Sequence, residues 1–141
     1  MPQDYFLRLI EQIAQMLAAI VASRKAGRNG EAVEQIAAAC QNNIGIPLEI
    51  VRRSSPETLL QLLEPGGALR HVRAVMLAEL LMQDSEVLED EGRSREALIA
   101  RAQAHALLSD VLPHLPPKEQ FIYRKKMEVL RIGSGDKAPT Q

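Results

Sequence analysis

Five groups of residues in this 141-residue chain have the types that chemistry uses. They are three histidines, one cysteine, an acidic run, a glycine pair followed by basic residues, and a basic stretch near the C-terminal end. His71, His105 and His114 fall in no H-x-x-x-H or H-E-x-x-H spacing, so no helix turns two imidazoles toward one metal ion. His105 stands among alanines and reads as a packing residue; His114 follows a proline in a loop. Cys40 lies on the apolar stripe of a helix beside Ala38 and Ala39. A reactive thiolate needs a basic or helix-N-terminal setting, so Cys40 reads as a small buried hydrophobe. Asp84, Glu86, Glu89, Asp90 and Glu91 offer oxygen ligands. A calcium loop, however, needs glycine at its sixth position, and counting from Asp84 that position is Glu89. The run reads as a solvated face offset by Arg93 and Arg95.

The best candidate for anion binding is Gly66-Gly67 with the basic residues that follow. Gly67, Arg70, His71 and Arg73 would combine the exposed amides of a helix start with guanidinium forks. The segment is not a P-loop, because it lacks G-x-x-x-x-G-K-[ST]. Lys118, Arg124, Lys125, Lys126 and Arg131 make the last helix basic, with Tyr123 among them. A net charge of −1 argues against nucleic acid as the target of that helix. No set of nucleophile, base and orienting group is recognisable, so the chain reads as non-catalytic, with no cofactor and no metal.

These residues sit on helices. The chain is 46% hydrophobic and 25% charged, but only 3% aromatic. Leu, Ile, Val, Ala and Met must build the core, which favours close helix packing over sheets. Seven helices follow from the apolar spacing, over about 4–25, 30–43, 47–53, 55–64, 68–89, 94–112 and 118–131, in one domain spanning 1–132. Asp4 and Ser94 are expected N-caps, and Ser55-Pro56-Glu57 reads as a capped helix start. The small polar residues 133–141 predict a disordered tail. Fold class is therefore all-α: hairpin one over 4–44, short helices over 47–64, hairpin two over 68–112, and a C-terminal helix.

The two long helices end in related turns, Gly27-Arg28-Asn29-Gly30-Glu31-Ala32 and Gly92-Arg93-Ser94-Arg95-Glu96-Ala97. Recurrence at corresponding places suggests two antiparallel hairpins. Gly30, Ala32, Ile36, Ala39 and Pro47 give a texture that resembles the tetratricopeptide family: a glycine turn, small residues for close packing, then proline. The proline comes late, and Arg101 and Ala104 stand in the second copy where Ile36 and Ala39 stand in the first. The resemblance implies stacked helix hairpins in a right-handed arrangement. Asp4-Tyr5-x-x-Arg8-x-Ile10-Glu11-Gln12 also resembles the opening of a family of short, uncharacterised bacterial helical proteins, which implies a bacterial origin and a helical fold.

The function expected on these grounds is a helical interaction module for a protein or peptide partner. Arg8, Arg101, Tyr123 and Lys125 are its candidate surface residues. The alternative is a small-anion or small-ligand regulator using the helix start after Gly67. A short stack with open ends predicts a homodimer through the first or the last helix. A single cysteine, the lack of a signal-peptide pattern and the lack of a long apolar run predict a cytoplasmic protein with no membrane contact.

Overall fold

In the computed structural model, residues 3–133 are described. Among them the fold is all-α, with seven α-helices and no strand: α1 Gln3–Lys25, α2 Asn29–Ala39, α3 Leu48–Arg53, α4 Pro56–Leu63, α5 Arg70–Asp90, α6 Ser94–Val111 and α7 Pro117–Gly133. A π-helical turn (Cys40–Ile44) extends α2, and 3-10 turns lead into α5 (Glu64–Leu69) and out of α6 (Leu112–His114). The expected tail begins inside α7 at Gly133, and its remainder lies outside the described residues, as do Met1, Pro2 and the Phe6 side chain.

Why α5 is the centre follows from its composition. Its apolar residues are not confined to one stripe, and Val72, Val75, Leu77, Leu80, Leu81 and Leu88 are all buried. A helix apolar on several sides has to be covered on several sides. Helices α1, α2, α4 and α6 do this, with α6 making the most extensive contact. Ile13 and Ile20 of α1, Ile36 of α2, and Leu107 and Leu108 of α6 complete the core. Helix α7 packs on α6.

The two hairpin turns have the same geometry. Gly27 and Gly92 adopt φ of 79° and 76°, the left-handed region in which a side chain is strained. Each closes its helix with a six-to-one hydrogen bond, Arg28 N to Ser23 O at 2.9 Å and Arg93 N to Leu88 O at 2.8 Å. The next helix then begins in the same way. Arg28 and Arg93 occupy the N-cap position, and their guanidinium groups bind Glu31 and Glu96 three residues on, at 3.2 Å and 2.7 Å. Ser94 is consequently not a cap. It lies in the first turn, and its hydroxyl points back to Glu89 at 3.4 Å. Asp4 likewise falls inside the first turn of α1, where its charge favours the positive end of the helix dipole.

Ser55 does cap α4, accepting from Thr58 N at 3.1 Å, with Pro56 in the first turn. Ser54 and Ser55 are extended, so α3 and α4 are separate helices. The last carbonyls of α3 are satisfied from a distance: the Gln103 amide donates to Val51 O at 2.9 Å and Ser54 O at 2.7 Å. A second tie holds α3 to α5. Arg52 donates to both oxygens of Asp84, Nη2 to Oδ1 at 2.7 Å and Nε to Oδ2 at 3.0 Å. Asp84 is thus removed from the solvated acidic face expected for it. It is fully buried, whereas Glu86, Glu89, Asp90 and Glu91 are exposed.

Candidate functional site: a basic cleft beside the last helix

The C-terminal half of α5 and the C-terminal half of α7 face one another across a cleft of about 500 Å³, with the end of α1 and Arg101 of α6 closing its sides. Its floor is built around Glu79. This carboxylate is buried, and its Oε2 accepts from the Tyr123 hydroxyl at 2.7 Å and from Lys126 Nζ at 2.7 Å. Burial raises the Tyr123 phenol above its ordinary value, and the adjoining Glu79 charge raises it further. The phenol therefore stays protonated and acts as a fixed hydrogen-bond donor.

Tyr123 is accordingly corrected as an interaction-surface residue. Only 4% of it is exposed, because Tyr123, Met127 and Leu130 form the face of α7 that turns into the protein. Its part is to fix the carboxylate under the cleft. Arg101 and Lys125, by contrast, line the cleft directly, joined by Arg24 and Lys126. Arg24 donates to the neutral Gln83 at 3.3 Å, Arg101 lies 3.4 Å from Glu89, and Lys125 stands 4.6 Å above the Phe121 ring. Among the described residues, four cations and two carboxylates, Glu79 and Glu86, line the cleft; Lys126 is paired with Glu79, and Arg101 with Glu89 at its edge. Between them lie apolar groups, including Met82 and Val129, and Val129 is 68% exposed. An apolar surface with a surplus of cations suits a negatively charged, partly apolar ligand.

The other expected group is split apart. Gly67 sits at the kink before α5 with φ 58° and ψ −126°. Arg70 is engaged by internal acids: Nη2 donates to Asp110 at 2.8 Å, and Nε lies within ion-pair range of Glu64 at 3.3 Å without a hydrogen bond to it. An external anion there would have to displace those carboxylates. His71 stacks on His114 with ring centroids 4.1 Å apart and planes 11° from parallel. Burial lowers the His71 imidazole below its ordinary value, and the neighbouring His114 and Arg70 add to this against the opposing pull of Asp110. Arg73 turns elsewhere, to a groove between α1 and α5. Arg8, at the exposed start of α1, lies 5.9 Å from the Tyr5 ring, far along the chain from Lys125.

Cys40 is fully buried, and desolvation pushes its thiol up to about 12, so it is not a nucleophile at neutral pH. Among the described residues, no helix is long and apolar enough to cross a membrane. No family model matches the chain, and no curated protein or solved structure shows significant similarity to it.

Proposed function

We propose that this chain is a non-catalytic protein-interaction module of tetratricopeptide-like construction, and that its basic cleft takes a short acidic peptide segment. The observation that carries the reading is the charge of the cleft: Arg24, Arg101, Lys125 and Lys126 against Glu79 and Glu86, around exposed Val129. Lys126 neutralises Glu79, Tyr123 hydrogen-bonds it, and Arg101 is paired with Glu89, so Arg24 and Lys125 are the cations that would meet an incoming acid.

The packing order supports the construction. Helices α1 and α2 pack on each other and both pack on α5, α5 packs on α6, and α6 on α7. Helices α1, α5 and α7 would then be the first members of successive hairpins, and all three contribute to the cleft. In stacked hairpins these inner helices form the groove where a peptide docks. The short helices α3 and α4 are inserted between hairpin one and hairpin two. The alternative anion site at Gly67 has less support, because Asp110 and Glu64 already claim Arg70.

Titration calorimetry with a short peptide of glutamates and leucines tests the reading. Binding should weaken as salt rises, and the double reversal Arg24→Glu, Lys125→Glu should reduce affinity by about tenfold or more, equivalent to about 1.4 kcal/mol. A lysine-leucine peptide should not bind. Equal affinity for both peptides, or an unchanged affinity in the double variant, would remove the cleft from consideration.

A further inference from the structure

A second concavity, separate from the basic cleft, lies between the first half of α1 and the first half of α5. It encloses about 360 Å³, within the range of small-ligand pockets. Its walls are aliphatic and thioether groups: Leu9 and Met16 from α1, Leu69 from the 3-10 turn before α5, and Val72 and Met76 from the start of α5. Leu9, Met16 and Met76 are half-buried, so the wall is open to an entering molecule. Methionine suits such a wall because its flexible, polarisable side chain refits to apolar ligands. From Leu69, which immediately precedes α5, to Met76 the lining extends about 10 Å at the helical rise.

The polar groups of this groove are few and of one kind. Gln12, Asn43 and Tyr5 offer neutral hydrogen-bonding atoms, and Arg73 brings the one charge among the described lining residues. Among the described residues, no carboxylate lines the groove. Arg73 also has no ion-pair partner among the described residues, unlike Arg52, Arg70 and Arg93. Its Nη1 lies beside Gly66, where an added Cβ would stand 3.2 Å from it. Asn43 reaches the groove from the π-helical turn, where the widened ladder after α2 ends in the left-handed Gly45. Arg8, near the Tyr5 ring, adds positive charge close to the mouth.

A guanidinium fork at an apolar slot with no internal counter-ion matches a planar, singly charged head on a hydrocarbon tail. We infer that the groove between α1 and α5 binds an amphipathic carboxylate of medium chain length, with Arg73 holding the carboxylate and Leu9, Met16, Val72 and Met76 enclosing the chain. The inference does not depend on the peptide reading, because it uses other residues on another face.

Octanoate is the probe, with octanol and octylamine of similar length as comparisons. Titration into the full chain, followed through the methionine methyl NMR signals, should move the Met16 and Met76 resonances. Octanoate should bind about tenfold more tightly than octanol, as a charge-assisted fork allows, and octylamine should not bind. Arg73→Gln should bring octanoate and octanol within about twofold of each other. Lys125→Glu, in the other cleft, should leave octanoate binding unchanged. Met76→Trp should fill the groove and abolish binding of both probes, with the circular dichroism spectrum reporting that the fold is kept. Equal binding of octanoate and octanol to the unaltered chain overturns the inference without recourse to any variant. So does light scattering that shows a dimer which Leu9→Glu converts to monomer, for the groove would then be the seat of a second copy.

Discussion

Replacing Arg52 by alanine strands a charge. Asp84 has 0% of its side chain in contact with solvent, and among the described residues Arg52 supplies both of the side-chain hydrogen bonds its carboxylate accepts. Removing one member of a buried pair costs about 3–5 kcal/mol, because the remaining ion is left in a poorly polarisable interior. The Arg52 side chain is 25% exposed, so water can follow into the space it vacates, and the lower end, about 3 kcal/mol, is the expected loss. At roughly 4 °C per kcal/mol for a chain of this length, the unfolding midpoint should fall by about 12 °C. Far-UV circular dichroism during heating measures it, with urea titration for the free energy. Arg53→Ala is the control, since Arg53 is exposed on the same helix and should change stability by no more than about 0.5 kcal/mol. The converse change, Asp84→Ala, leaves an arginine that can turn toward water, and should cost less than Arg52→Ala. The double variant should then be more stable than Arg52→Ala alone, a non-additivity expected of residues in contact. An Arg52→Ala loss within about 0.5 kcal/mol of the Arg53→Ala control would refute the reasoning, because the pair would be behaving as a surface ion pair.

Other outcomes follow from the same geometry. Gly27→Ala and Gly92→Ala should each destabilise by about 1–2 kcal/mol, and by similar amounts, since both glycines hold nearly equal positive φ; urea unfolding of the two variants compares them. His71 is held below its ordinary value of 6.5 in the folded chain, so the unfolded chain binds the extra proton first. Stability contributed by neutral His71, stacked on His114, should be complete above pH 6.5 and fall as pH drops below it, and His71→Gln should flatten that slope in denaturation series run across this range. Tyr123 is held above its ordinary value of 10.0, so the opposite sign applies: stability is complete below pH 10 and lost as pH rises past it, and Tyr123→Phe should remove that alkaline loss while costing about 1–2 kcal/mol at neutral pH.

Local signals made much of the fold legible. The left-handed glycines ending α1 and α5, and Ser55-Pro56 opening α4, are effects of a few adjacent residues, so the chain displays them directly. The pairing of Arg28 with Glu31 and of Arg93 with Glu96 was written in the same two turns, although in the second of them Ser94 drew the capping role away from Arg93. Long-range ties were harder. Asp84 looked like one more member of an acidic run because its partner, Arg52, comes from a helix thirty-two residues earlier. A signal was nevertheless present. Asp84 stands three residues after Leu81 and four before Leu88, the spacing of one helical face, and both leucines are buried. An acid on that face has to be inside, and an acid inside has to be paired.

The same reasoning joins the basic cleft to its floor. Tyr123 shares a face with Met127 and Leu130, so its ring is buried and its hydroxyl needs an acceptor. Glu79 lies four residues after Val75 on a helix covered on several sides, so its carboxylate needs donors. Each residue is an unsatisfied demand when considered alone. Together with Lys126 they satisfy one another, and the result is a cleft with a hydrogen-bonded base and with Arg24 of α1 and Lys125 of α7 at the rim. Glu79→Gln should therefore act on binding through position as well as charge: it keeps an acceptor for Tyr123 but releases Lys126, so a more cationic and more mobile rim would bind an acidic peptide more tightly at low salt and lose that gain as salt is raised.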